Sequence, residues 1–146
     1  MGTVSAEARV PLPPDKALEL WTRTGRWATF VEGFVRVVER DDAWPGEGGK
    51  IVWETGPQGR GRVTEKVVDR GPGLLSARVY EDRLHGVQTA RFADERFLLT
   101  LEYELTGGGP LKAVTDALFI RRALRDMLRR TVHRFAIEAE DEAGLR

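Results

Sequence analysis

The side chains equipped for chemistry in this 146-residue chain are few and stand among apolar neighbours. Arg78 and Tyr80 are two positions apart, so a strand carries them on one face. A guanidinium beside a phenol can bind a carboxylate, or polarise a carbonyl toward its enol. His85 is the histidine best placed for proton transfer, since an unperturbed imidazole titrates near about pH 6.5. Tyr103 lies in the most regular alternation of the chain, Phe97, Leu99, Leu101, Tyr103 and Leu105. Trp53 and Glu54 on one apolar segment and Gln88 on another complete the set of groups that could orient a bound molecule.

Each candidate has a plainer alternative. Leu75, Ala77 and Val79 form the better core set of their segment, which turns Arg78 and Tyr80 outward. His85 sits beside a turn, and no carboxylate is placed to orient it by spacing alone. A buried tyrosine bonded to a neighbour is commoner than a catalytic one, which is the plain account of Tyr103. No constellation fixes a catalytic residue, and the question passes to the elements that would position these groups.

The last of these elements is the longest. From Pro110 to Glu140 the residues Val114, Ala117, Leu118, Ile120, Leu124, Met127, Leu128, Thr131, Val132, Phe135 and Ala139 fall on one broad helical face. Lys112, Asp116, Arg122, Asp126, Arg129, Arg130 and His133 fall on the other. Such a helix needs a partner, and a sheet is the natural one. Val4 to Leu12 alternates like a half-buried strand, and Pro13, Pro14 and Asp15 start a helix over Asp15 to Arg23. A second short helix runs from Arg26 to about Val31, closed by Gly33. Strands are then predicted at Phe34 to Arg40, Lys50 to Thr55, Gly61 to Asp69, Leu74 to Glu81, Leu84 to Ala93 and Arg96 to Leu105. Their separators include Pro45-Gly46-Glu47-Gly48-Gly49, Gly56-Pro57-Gln58-Gly59 and Gly71-Pro72-Gly73, all too short for parallel crossovers. Thr106 to Pro110 is a glycine-rich hinge. The expectation is an α+β chain in which a curved antiparallel sheet of seven strands wraps a long C-terminal helix.

Composition narrows the function. Lys plus Arg is 23 and Asp plus Glu is 23, a balance that gives no broad positive field for nucleic acid. Cysteine is absent, which removes disulfides, thiolate nucleophiles and sulfur-ligated zinc, and two histidines are too few for a histidine-rich metal site. No metal or other cofactor is implied. No stretch approaches the roughly 20 apolar residues of a membrane span, so one soluble, cytoplasmic domain over residues 1–146 is expected.

The layout and two stretches, Val10-Pro11-Leu12-Pro13-Pro14-Asp15-Lys16-Ala17-Leu18-Glu19-Leu20-Trp21 and Trp27-Ala28-Thr29-Phe30-Val31-Glu32-Gly33-Phe34, resemble the START-like superfamily, particularly its polyketide cyclase/dehydrase branch. Arg96 to Leu105 followed by Gly107-Gly108-Gly109-Pro110-Leu111 is similar to that family's final strand, hinge and helix start. The resemblance spans the whole chain and concerns a scaffold, with no catalytic signature to carry over. It implies a helix-grip fold with a hydrophobic cavity, used by relatives for carriers, receptors and cyclases alike. One departure is the short turn Ala93 to Glu95, where relatives often carry a longer loop at the cavity rim.

The cavity expected under the helix would be lined by Trp27, Trp53, Tyr103, Ile120, Leu124, Met127, Leu128 and Phe135, the alternative being that they complete a filled core. Trp21 is expected in the core, and Trp44 in a polar loop. Binding of a small hydrophobic or aromatic molecule is the first expectation, and a cyclase or dehydrase using Arg78, Tyr80, His85 or Tyr103 the second. A third is an interaction protein acting through Arg122, Arg125, Arg129 and Arg130, whose basic helix would suit an anionic membrane surface if it were not simply a solvated face. The sequence is compatible with a monomer or a homodimer.

Overall fold

The fold is that of a computed structural model, which describes residues 1–56, 60–106 and 110–144, and only the backbone of residues 110–116. The expected residues Pro57, Gln58 and Gly59, the hinge Gly107 to Gly109, and the side chains of Lys112, Val114 and Asp116 lie outside the described set.

Strand β1 (Gly2–Arg9) leads to helices α1 (Pro14–Trp21) and α2 (Trp27–Phe30), joined by a 3-10 turn at Thr24–Arg26. Strands β2 (Phe34–Arg40), β3 (Lys50–Thr55), β4 (Arg62–Gly71), β5 (Leu74–Tyr80), β6 (Leu84–Ala93) and β7 (Arg96–Leu105) follow, and then the long helix α3 (Pro110–Glu142). The sheet order is β1-β7-β6-β5-β4-β3-β2, with every pair antiparallel. Six sequential strands thus form a meander, and β1 closes onto β7 at one edge.

The expected bounds shift at a few ends. The first strand stops at Arg9, because the Val10 N–H leaves the ladder for the Glu95 carbonyl at 2.8 Å and Pro11 has no N–H to give. Helix α1 ends at Trp21, where Thr22 turns its hydroxyl back to the Leu18 carbonyl at 3.0 Å. The expected second helix divides into the 3-10 turn and the single turn of α2.

Alternation sets one face of the sheet inward. Phe97, Leu99, Leu101 and Tyr103 of β7 are buried, and they stand opposite Ala8, Ala6, Val4 and Gly2 on β1. Ile51 and Trp53 on β3, Val63 and Val67 on β4, and Leu75, Ala77 and Val79 on β5 continue the same concave face. Helix α3 lays Leu124, Leu128, Thr131, Val132, Phe135 and Ala139 against it, a stripe of spacing three and four. Phe135 is at the centre of a closed aromatic cluster, with ring centroids 5.0 Å from Phe30 and from Phe97 and 5.6 Å from Trp21. The core is therefore filled at the C-terminal half of α3.

Leu118 is a correction. It is 70% exposed, and its neighbour Phe119 is 75% exposed. At a helical step of about 100 degrees Leu118 lies about 100 degrees from the centre of the buried stripe, too far round to reach the sheet. Ile120, Ala123 and Met127 lie on the opposite flank, which overhangs a cleft. Among the described residues no helix is long and apolar enough to cross a membrane.

Candidate functional site

The open cleft lies at the end of the molecule where β5 turns into β6. It has a volume of about 730 Å³ and is bounded by Ile120, Ala123, Leu124 and Met127 of α3, by Leu84, and by a polar rim of Arg60, Glu81, Asp82 and Arg83. The short turn Asp94–Glu95 is at the other end of β6, so the departure there does not shape this rim. The cleft shares the walls Glu32, Arg60 and Met127 with a smaller, more enclosed cavity of about 30 Å³. Trp21, Trp27, Trp44, Trp53, Glu65 and Gln88 are among its lining residues.

All four tryptophans of the chain line this inner cavity, and three of them pack directly together. Trp27 packs edge-on against Trp44 and Trp53, with centroids 6.0 and 5.9 Å away. Trp44 stands in the polar β2–β3 loop where it was expected, yet it is only 8% exposed, turned into the core. Asp41 is the local cause: its Oδ1 accepts the N–H groups of Ala43 and Trp44, both at 3.1 Å, folding the loop inward. Those bonds, after the larger effect of the Lys50 backbone N–H, hold the Asp41 carboxyl below its usual range. Gly49 completes the fold, since a Cβ there would stand 2.5 Å from the Trp44 nitrogen.

Glu65 is the central polar group. Strand β4 alternates Val63, Glu65, Val67 inward, so a carboxyl occupies a core position between two valines. Trp53 donates its Nε1–H to Glu65 Oε2 at 2.7 Å. Burial pushes the Glu65 carboxyl up from its ordinary range, against the weaker opposing pull of the Trp53 bond and of Arg60. Arg60 lies 5.6 Å over the Trp53 ring and donates its Nε–H to Glu81 in a nearly closed ion pair, the two side chains being 14% and 5% exposed. Arg60 Nη2 and Trp44 Nε1 are buried donors without a hydrogen-bond acceptor among the described residues. The α2–β2 connection is pinned to α3, because the Glu32 N–H donates to Thr131 Oγ1 at 3.1 Å and the Glu32 carboxylate meets Arg130 and Arg134 at 3.1 and 2.7 Å.

The expected site residues are distributed unevenly about this geometry. Trp27, Trp53, Met127 and Leu128 line the inner cavity, and Ile120, Leu124 and Met127 the cleft. Phe135 belongs to the closed aromatic core instead. Tyr103 points inward but packs across Gly2, whose Cβ would meet the ring at 2.5 Å, and lines neither space. Arg78 and Tyr80 alternate with buried Ala77 and Val79, which turns both to the outer face. His85 is also outward, its Nε2 lying 3.7 Å from Glu104 Oε2 on the next strand. Glu54 alternates with Trp53 to the outside, where Arg36 Nε donates to it at 2.7 Å, whereas Gln88 lines the inner cavity. Arg122, Arg129 and Arg130 are exposed on α3, and Arg125 is half-buried.

Sequence reasoning missed Glu65, Arg60 and Trp44. The signal for Glu65 was the alternation itself, a charged residue at the inward phase between Val63 and Val67. Arg60 and Trp44 come from loops, where no periodicity marks an inward side chain. Among the described residues no three His, Asp or Glu side chains gather to hold a metal ion.

Comparison with known proteins gives a consistent picture. The structure of protein TTHA0849 from Thermus thermophilus superposes with a TM-score of 0.75 at 18% identity, covering 97% of this chain and 99% of that one. The ZhuI aromatase/cyclase from a Streptomyces species gives 0.64 at 17% identity, over 97% and 95% of the two chains. A norcoclaurine synthase point mutant from Thalictrum flavum gives 0.67 at 12% identity, over 97% and 96%. At such identities the likeness concerns the helix-grip fold alone. No curated protein sequence matches the chain. A family model described as "Polyketide cyclase / dehydrase and lipid transport" matches residues 1–140, nearly the full length, and the chain belongs to that family.

Proposed function

We propose that this protein holds a small hydrophobic or aromatic molecule between α3 and the concave face of the sheet. The observation that carries this reading is the cleft of about 730 Å³, apolar along α3 and leading inward to a tryptophan-lined cavity. A space of that size suits one small organic ligand, with apolar walls to hold it and a few polar groups to orient it. Family membership supports the same reading at the level of fold and broad role. The test is native mass spectrometry of protein purified from its own host, with extraction of whatever is bound. A hydrophobic compound at one per chain is the expected result. Protein that arrives empty and takes up no apolar probe in titration would overturn it.

A second reading, catalysis of the cyclase or dehydrase kind, is favoured by one observation. Glu65 is a buried acid whose pKa is raised by its surroundings, a common property of groups that hold a proton for transfer. The groups named from sequence for that role are placed elsewhere, with Arg78, Tyr80 and His85 outward. An enzyme built here would use Glu65 as the acid and Arg60 to stabilise developing negative charge. Catalysed ring closure or dehydration of a keto compound, lost in Glu65→Gln with binding retained, would be its signature.

A further inference from the structure

The ligand-binding reading leaves open what the inner cavity selects, and the inference drawn here rests on that reading. Trp44 Nε1–H and one nitrogen of Arg60, Nη2, are buried at this cavity with no acceptor among the described residues. Trp27 and Trp53 have already given their N–H groups, to the Trp21 carbonyl at 2.8 Å and to Glu65. The other charged groups of the lining already have partners: Arg60 is paired with Glu81, and Glu32, in the wall shared with the cleft, is paired with Arg130 and Arg134. Glu65 is the remaining ionisable group of the lining, flanked across the strands by Ile51 and Val79. In its neutral form it accepts from Trp53 through one oxygen and offers an O–H through the other.

We propose that the inner cavity receives one uncharged acceptor oxygen, the carbonyl of an aromatic or conjugated ketone, with Trp44 Nε1, Arg60 Nη2 and the Glu65 carboxyl as its donors. The size agrees. A cavity of about 30 Å³ takes an oxygen and its carbon but no ring, so the ring system lies in the cleft among Leu84, Ile120, Ala123 and Leu124. A carboxylate is disfavoured, since Arg60 already has Glu81 and the added charge would lie buried beside Glu65.

The test is calorimetric titration of the full chain with three probes of one shape: acetonaphthone, ethylnaphthalene and naphthoate. The ketone is expected to bind at least about tenfold more tightly than the hydrocarbon, because its oxygen satisfies donors that the hydrocarbon strands, with naphthoate the weakest. Trp44→Phe removes one donor and keeps a ring, and should narrow the ketone's advantage over ethylnaphthalene about fivefold. Ketone affinity should also fall as pH rises through the range where Glu65 ionises, and stay flat in Glu65→Gln. The charged groups facing Glu65 are Arg60, with its partner Glu81, and Glu32; His85 and His133 lie on the outer surface. Equal binding of ketone and hydrocarbon, or tightest binding of naphthoate, would overturn the selection and leave the ligand-binding reading standing. Binding of none of the three would overturn both.

Discussion

Glu65 is the residue at which stability and function pull in different directions. Its folded-state pKa is raised, chiefly by burial, above the value of about 4.3 for an unfolded glutamate. A raised pKa means that the folded state holds its proton longer. The protein therefore has its full stability from this group below about pH 4, and loses it as pH rises through the folded-state pKa. Glu65→Gln keeps an oxygen for the Trp53 Nε1–H and cannot ionise. Denaturation of the two proteins should show parallel behaviour at acid pH and a gap opening in favour of Glu65→Gln above it. The gap should grow no faster than about 1.4 kcal/mol per pH unit, the slope of one proton, and then level off. A constant gap across pH would show that Glu65 does not titrate on folding. Arg60 is under a different constraint: Arg60→Met leaves Glu81 buried without its cation, and should cost about 3–5 kcal/mol in the same assay at neutral pH.

Among the elements, the loop carrying Trp44 and the β6–β7 hairpin invite opposite predictions. Gly49→Ala drives a Cβ into the Trp44 backbone, and a backbone cannot swing aside like a side-chain end. A loss of about 2 kcal/mol is expected, read as a Tm lower by about 4–8 °C. The hairpin is already strained in the native chain, because its two central residues, Asp94 and Glu95, have φ of 52° and 58°. Two-residue turns of this hand favour Asn-Gly. The double change Asp94→Asn with Glu95→Gly should add about 1 kcal/mol, despite losing the exposed Arg9–Glu95 pair at 3.6 Å, which contributes little. These two elements also divide what was legible from sequence. Strands β2, β3, β6 and β7 were readable to the residue, since short polar or glycine-containing turns separate apolar, β-branched segments and the inner face of β7 alternates cleanly. The inward turn of Trp44 was not, because it depends on an Asp41 turn and on close approach at Gly49 rather than on any period. Likewise Tyr103 could be placed on the inner face, whereas its packing on Gly2 depends on the β1–β7 register, which no local pattern specifies.

For the whole molecule, α3 is one helix with two environments. From Leu124 onward it grips the sheet, and Phe135 locks into rings donated by α1, α2, β6 and β7. Before Leu124 it overhangs the cleft, with Leu118 in solvent, Phe119 exposed at the rim and Ile120 turned to the opening. Folding stability should follow that division. Leu128→Ala truncates a buried side chain and should cost about 2–5 kcal/mol, whereas Leu118→Ser with Phe119→Ser should change stability by no more than about 0.5 kcal/mol. Ligand binding should follow it too, in the reverse sense. A molecule seated in the cleft contacts the overhanging part, so hydrogen exchange of amides from Ile120 to Met127 should slow on addition of a tight-binding aromatic ketone, while amides around Phe135 stay as they were. At a free concentration of 100 times Kd, such a ligand stabilises the native state by about 2.7 kcal/mol, enough to raise Tm by roughly 5–10 °C. A rise in Tm with slowed exchange only around Phe135 would instead place the molecule against the closed core and away from the cleft. Slowing confined to Ile120 through Met127 would mean that the sheet grips one half of the helix to leave the other half for the ligand.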